Sequence, residues 1–396
     1  ATLGELFAWI IGWDLILEYA VGAASVAHGW SKYLQDFMAT FGVRFPHFLS
    51  SAPFDFEPAM GRMVTTGSFL DIPAILIAAL VSGVLVIGIR ESATFNNLMV
   101  VIKVGVVLMV IAIGARYVDP RNWHPFAPFG YSGLSLFGKA LVGVTGKGGE
   151  PLGMLAGAAV IFYAYIGFDS VSTHAEEARN PRRDVPIGII ASLLICTLLY
   201  LSVAAVLTGM VPYDRLSVET PVANAFEQAG LKWARAVISI GAVAGITSVL
   251  LVLMLSQPRV WLAMARDGLV PRGFFGAVHP RFRTPWKATL LTGTVVAGMA
   301  GFLPLRVLAE LVNIGTLRAF VMVCAAVLIM RRTNPKAERP FRAPLVPLVP
   351  VLGILLCLLL MFSLPAENWL RLLIWLVIGF AVYFGYGRYH SVMARQ

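Results

Sequence analysis

The strongest constraint on this chain is a series of ten apolar stretches. They lie near residues 4–29, 71–89, 95–116, 153–174, 187–211, 234–256, 286–304, 307–330, 345–364 and 369–387, and each suits a helix crossing about 30 Å of hydrocarbon. In lipid a segment of this length satisfies its own backbone only as a helix, so the expected fold class is all-α and polytopic. Composition agrees: charged residues are 13% of the chain and apolar residues 58%, against about 25% and about 45–50% in soluble domains. The whole chain, 1–396, therefore reads as one transmembrane unit.

The net charge of +10 argues little for a nucleic-acid partner, because the basic residues cluster between apolar runs, as in loops that hold topology. Arg90, Arg179, Arg182 and Arg183, the series from Arg259 to Lys287, Arg331 to Arg342, and Arg388 and Arg395 share one side if both visible termini are cytoplasmic. Segment 258–285 reads as a basic linker with glycine and proline stops, and 40–62 and 119–150 as outer loops. Three cysteines without a CxxC pair give neither a disulfide framework nor a metal site. Six scattered histidines supply no clustered catalytic set, and no repeated filter or ring of like charge marks a channel, so neither an enzyme nor a channel is expected.

Ionisable and hydroxyl side chains inside the spans are the functional candidates. Lys103 lies roughly 12–14 Å into its helix, too deep for easy snorkelling. It serves either as a group that gains and loses a proton or as a fixed ammonium bridging helices. Asp14 and Glu18 share one face at i and i+4, where two carboxylates repel; they form a proton or cation relay, or they cap or pair with neighbours. Thr247 and Ser248 stand together in GAVAGITSVLL, with back-bonding to their own helix as the plainer reading. His28 and His174 read as solvated or loosely paired groups near span ends. The stretch FYAYIGFDSVSTHAEEARNPRRDVP, residues 162–186, puts Gly167, Asp169 and three hydroxyls into an apolar run. Such material suits a helix that unwinds and frees backbone groups beside a cavity, or a kinked helix whose Asp169 bonds a neighbour.

GELFAWIIGWDLILEYAVG, NNLMVVIKVG, FYAYIGFDSVSTHAEEARNPRRDVPIGI, RVWLAMARDGLVP and ELVNIGTL together resemble the cationic amino acid transporter branch of the amino acid–polyamine–organocation superfamily. The resemblance spans essentially the whole chain and implies a LeuT-type fold of two inverted five-helix repeats and two further helices. Residues 4–116 would then be the remainder of the first repeat, 153–330 the second, and 345–387 the additional pair. The first visible span looks like the family's third helix, so the resemblance implies that the first two lie outside this chain. It implies a secondary active amino acid permease of the cell membrane, with cationic amino acids or a broad range of them as substrates, driven by a proton gradient, without a cofactor and with unknown partner subunits. The carbonyls of Phe162, Tyr163, Ala164 and Ile166 would hold the substrate ammonium, with an aromatic among them as a gate and Asp169 shaping the pocket. Lys103 would stand in for the sodium ion of related carriers, beside Thr247 and Ser248. Arg318 departs from the family pattern; a guanidinium mid-helix is costly unless it is paired or faces water, so it either meets an acidic partner such as Glu18 or Asp169 or is a damaging change. The alternatives are a transport-inactive membrane receptor or structural protein, or a non-functional transporter fragment.

Overall fold

The computed structural model describes residues 4–57, 62–88, 92–146, 151–168, 170–173, 180–217, 219–336, 338–339 and 341–392. Helices dominate it in the order α1 Glu5–Thr40, α2 Ile72–Ile87, α3 Ser92–Gly114, α4 Met154–Ile161, α5 Ser170–Thr173, α6 Pro181–Met210 and α7 Pro221–Gln228. They continue as α8 Lys232–Arg266, α9 Arg272–Phe275, α10 Trp286–Phe302, α11 Leu305–Thr333, α12 Leu348–Ser363 and α13 Ala366–Val382. Each of the ten expected spans contains helix among its described residues, 153–174 in separate pieces. Among the described residues seven helical segments are long and apolar enough to cross a membrane. By contrast α2 and α12 have 16 residues and α10 has 17, about 24–26 Å at 1.5 Å per residue.

The connecting segments are not pure loop. Among the described residues there are three two-stranded antiparallel ribbons: β1 Phe54–Glu57 with β2 Arg62–Thr65, β3 Leu134–Leu136 with β4 Lys139–Val142, and β5 Val144–Thr145 with β6 Pro151–Leu152. They qualify the all-α expectation. The β3 ribbon is tied to the end of α12, where Phe137 N–H donates to Phe362 O at 2.8 Å and Ser135 Oγ to Ser363 O at 2.9 Å.

Helices α1 and α8 run well past their expected ends. Helix α1 extends from the apolar run to Thr40, and α8 continues through Pro258 to Arg266. Residues 258–266 are therefore helix, where a linker was expected. Pro258 removes one backbone donor, but Trp261, Met264 and Ala265 are buried against Trp9, Trp13 and Ile16 of α1, and that packing holds the extra turns. His28 likewise stands inside α1 and not at its end. It is buried, and its Nδ1 lies 3.4 Å from Oδ2 of Asp71, the N-cap of α2, so the solvated reading is corrected.

Helix α1 is the structural axis. Its small residues Ala20, Ala23, Ala24 and Ala27 are fully or almost fully buried, in one core with residues of α2, α8, α10 and α11. Small side chains let membrane helices approach closely and gain dispersion contact. At one end, Trp13 stacks on Trp375 of α13 with centroids 4.5 Å apart. The two indoles also exchange hydrogen bonds: Trp13 Nε1 donates to Trp375 O at 2.9 Å and Trp375 Nε1 to Trp13 O at 3.1 Å. Trp9 Nε1 donates to Gly379 O at 3.1 Å. These bonds join α13 to α1 while satisfying indole donors in an apolar setting.

Candidate functional site

The apolar run 153–174 is an interrupted helix. After α4 the backbone tightens into a 3₁₀ turn over Phe162–Tyr165, becomes extended at Ile166 (φ −63°, ψ 136°), and turns at Gly167 with φ +106°. That φ strains residues with a Cβ, which explains a glycine in the middle of an oily segment. Helix resumes as α5, where Ser170 closes the turn by donating both N–H and Oγ to Gly167 O, at 3.1 and 2.6 Å. Asp169 and His174 lie outside the described residues.

Interruption leaves carbonyls without intrahelical donors, and neighbouring helices supply several of them. From α11, Asn313 Nδ2 donates to Ala159 O and Val160 O, both at 3.1 Å. Asn313 is fully buried. Two carbonyls within reach fix its amide orientation, because the opposite orientation would face oxygen with oxygen. Tyr200 of α6 donates its hydroxyl to Ala164 O at 3.0 Å, and Ile166 N–H donates to Tyr163 O at 3.2 Å. Two of the four carbonyls expected to meet an ammonium therefore already accept a hydrogen bond. The Tyr163 side chain points elsewhere, donating its hydroxyl to Ser25 Oγ of α1 at 2.6 Å. The Phe162 and Phe168 rings meet Phe320 of α11, with centroids 6.0 and 5.2 Å away.

A cavity of about 470 Å³ opens against this break. Lys103, Ala164, Ile166, Gly167, Tyr200 and Ser248 line it, along with aliphatic side chains of α3, α6 and α8. Lys103 Nζ lies 3.3 Å from Ser248 Oγ, and among the described residues no carboxylate comes within 4.0 Å of that ammonium. Gly245 makes the approach feasible: a Cβ there would stand 2.9 Å from Lys103 Cβ. Thr247 and Ser248, expected as a pair, separate. Successive helical residues point about 100° apart, so Thr247 accepts from Trp30 Nε1 at 2.9 Å while Ser248 meets Lys103. Both hydroxyls also bond back to α8, through Val243 O at 2.7 Å and Gly245 O at 2.9 Å.

Asp14 and Glu18 do not line this cavity. Both are fully buried in α1, and Asp14 Oδ1 lies 3.3 Å from Nη1 of Arg318. Arg318 therefore has an acidic partner in Asp14, where Glu18 or Asp169 was expected. The expected coupling residues do not form one cluster: Lys103 and Ser248 line the cavity, Thr247 meets Trp30, and Asp14 pairs with Arg318 between α1 and α11.

Asn313, Tyr200, Ser25 and Phe320 were not anticipated. Asn313 carried a usable signal, a carboxamide inside the apolar ELVNIGTL, whereas tyrosine and serine in spans are too common to stand out. No group of three or more His, Cys, Asp or Glu suited to a metal occurs among the described residues.

The sequence profile of the amino acid permease family matches residues 1–383. A methylthioribose transporter of Bacillus subtilis (strain 168) is 44% identical over 392 residues, 99% of this chain and 78% of its own length. The branched-chain amino acid permease BcaP of the same organism shows the same identity and coverage. The vacuolar cationic amino acid transporter 4 of Arabidopsis thaliana is 36% identical over 334 residues, 84% of this chain and 51% of its own.

Proposed function

Because this chain belongs to the amino acid permease family, a family of multi-pass membrane proteins, we propose that it is a secondary active amino acid transporter working by alternating access. One observation carries the reading: the interrupted helix brings Ala164, Ile166 and Gly167 into the lining of the same cavity as Lys103 and Ser248. Irregular backbone at membrane depth is tolerated where it lines a cavity, and half-helices there hold the charged ends of a substrate. The carbonyls of Ala164 and Ile166, residues of the cavity lining, receive the substrate ammonium with those of Phe162 and Tyr163 in support, and Asp169 is assigned to shaping the pocket. Lys103, with Ser248 beside it and Thr247 bracing α8 against Trp30, supplies the coupling cation: its protonation biases the equilibrium between outward-open and inward-open states. Glu18 is a second proton carrier, and Asp14 holds Arg318 between α1 and α11.

The helices follow a LeuT-type plan in this reading, with 4–116 in the first repeat, 153–330 in the second and 345–387 outside both. The protein lies in the cell membrane with both visible ends cytoplasmic, and its substrates are amino acids, cationic or broad in range. The branched-chain permease and the cationic transporters among its relatives support an amino acid substrate, while a relative of equal identity is a methylthioribose transporter. Uptake of radiolabelled leucine and lysine into proteoliposomes, with and without an inward proton gradient, tests the proposal. Gradient-stimulated accumulation is expected, lost in Lys103→Ala; undiminished accumulation by that variant would remove Lys103 from coupling.

A further inference from the structure

We propose that Tyr200 is a displaceable latch on the substrate site: its hydroxyl holds the Ala164 carbonyl until the substrate's ammonium group takes its place. The inference rests on the amine-binding role assigned above to that carbonyl. Ala164 lies one residue before the end of the 3₁₀ turn Phe162–Tyr165, after which Ile166 and Gly167 turn away, and among the described residues no backbone N–H outside the helical ladders donates to its oxygen. A carbonyl left bare in an apolar surround is costly, and Tyr200 relieves it from the neighbouring helix at 3.0 Å. Tyr200 and Ala164 line the same cavity, into which the phenol can turn when the carbonyl is taken.

The exchange has a defined direction. A phenol is a neutral donor and an ammonium a charged one, and the charged hydrogen bond is the stronger. Substrate therefore wins the carbonyl when it is present, and Tyr200 recovers it when substrate leaves. The latch keeps the empty site satisfied, lowers the affinity for substrate and speeds release. The ring itself is held separately, edge-on to Tyr165 with centroids 5.4 Å apart, so removing only the hydroxyl leaves the packing in place.

Tyr200→Phe in lipid nanodiscs, assayed for equilibrium binding of radiolabelled leucine and lysine, gives a signed test. The latch predicts a Kd about two- to tenfold lower than in the unaltered protein, the worth of one lost competing hydrogen bond. In proteoliposomes kcat and KM fall together, because release slows. A merely structural tyrosine gives equal or weaker binding, and either result overturns the latch. An unaltered protein that binds neither amino acid contradicts the transport reading instead. As a measurement independent of the variant's folding, 3-fluorotyrosine at position 200 reports the exchange by ¹⁹F NMR. A resonance that moves on saturation with the bound amino acid is expected, and a resonance that stays fixed at saturation overturns the proposal.

Discussion

The α1–α13 contact and the interrupted helix 154–173 solve the same problem in opposite ways. Both must satisfy polar groups in an apolar setting. At α1–α13 the indoles of Trp9, Trp13 and Trp375 bond backbone oxygens while their rings stack, and the helices themselves stay regular. At the break the backbone is irregular, and its oxygens are met by side chains from separate helices, Asn313 from α11 and Tyr200 from α6. The first arrangement ties two helices into one rigid face. The second leaves a segment whose bonds can be exchanged one at a time, as a site that must open and close requires.

Variants can break or sharpen that contrast. Trp13→Ala removes a buried indole with three aromatic neighbours and should cost about 3–5 kcal/mol, read as a large fall in thermal unfolding temperature in detergent. Arg318→Met strands buried Asp14 and should cost a similar or slightly smaller amount, about 3–5 kcal/mol. The double variant Asp14→Asn/Arg318→Met should recover most of that loss, whereas additive losses would show that the pair is uncoupled. Asn313→Ala uncovers the Ala159 and Val160 carbonyls and should cost about 1–3 kcal/mol, with faster amide exchange confined to 154–166. Gly167→Ala places a Cβ at a left-handed turn and should cost about 1–2 kcal/mol. Its damage should appear in uptake more than in unfolding temperature, and the reverse pattern would erase the contrast.

The sequence made the apolar helices legible because membrane length and hydropathy act locally. It also marked the interruption, since glycine and hydroxyls in an oily run have a local cost. What it could not reveal depended on contacts distant along the chain. The Asn313 bond to Ala159 spans 154 positions, and Asp14 meets Arg318 across 304. The extra turns of α8 beyond Pro258 were hidden for the same reason, because burial against Trp9 and Trp13 outweighs a proline's local effect. Thr247 and Ser248 looked like a pair because they adjoin in sequence, but helical geometry sends them to different partners.

The central claim is that substrate binds at the interruption. Photo-leucine crosslinking of the purified protein in nanodiscs, mapped by peptide mass spectrometry, tests it most directly. The account predicts adducts within residues 162–168 that excess unlabelled leucine suppresses. Suppressible adducts confined to the tryptophan face of α1 and α13 would contradict it.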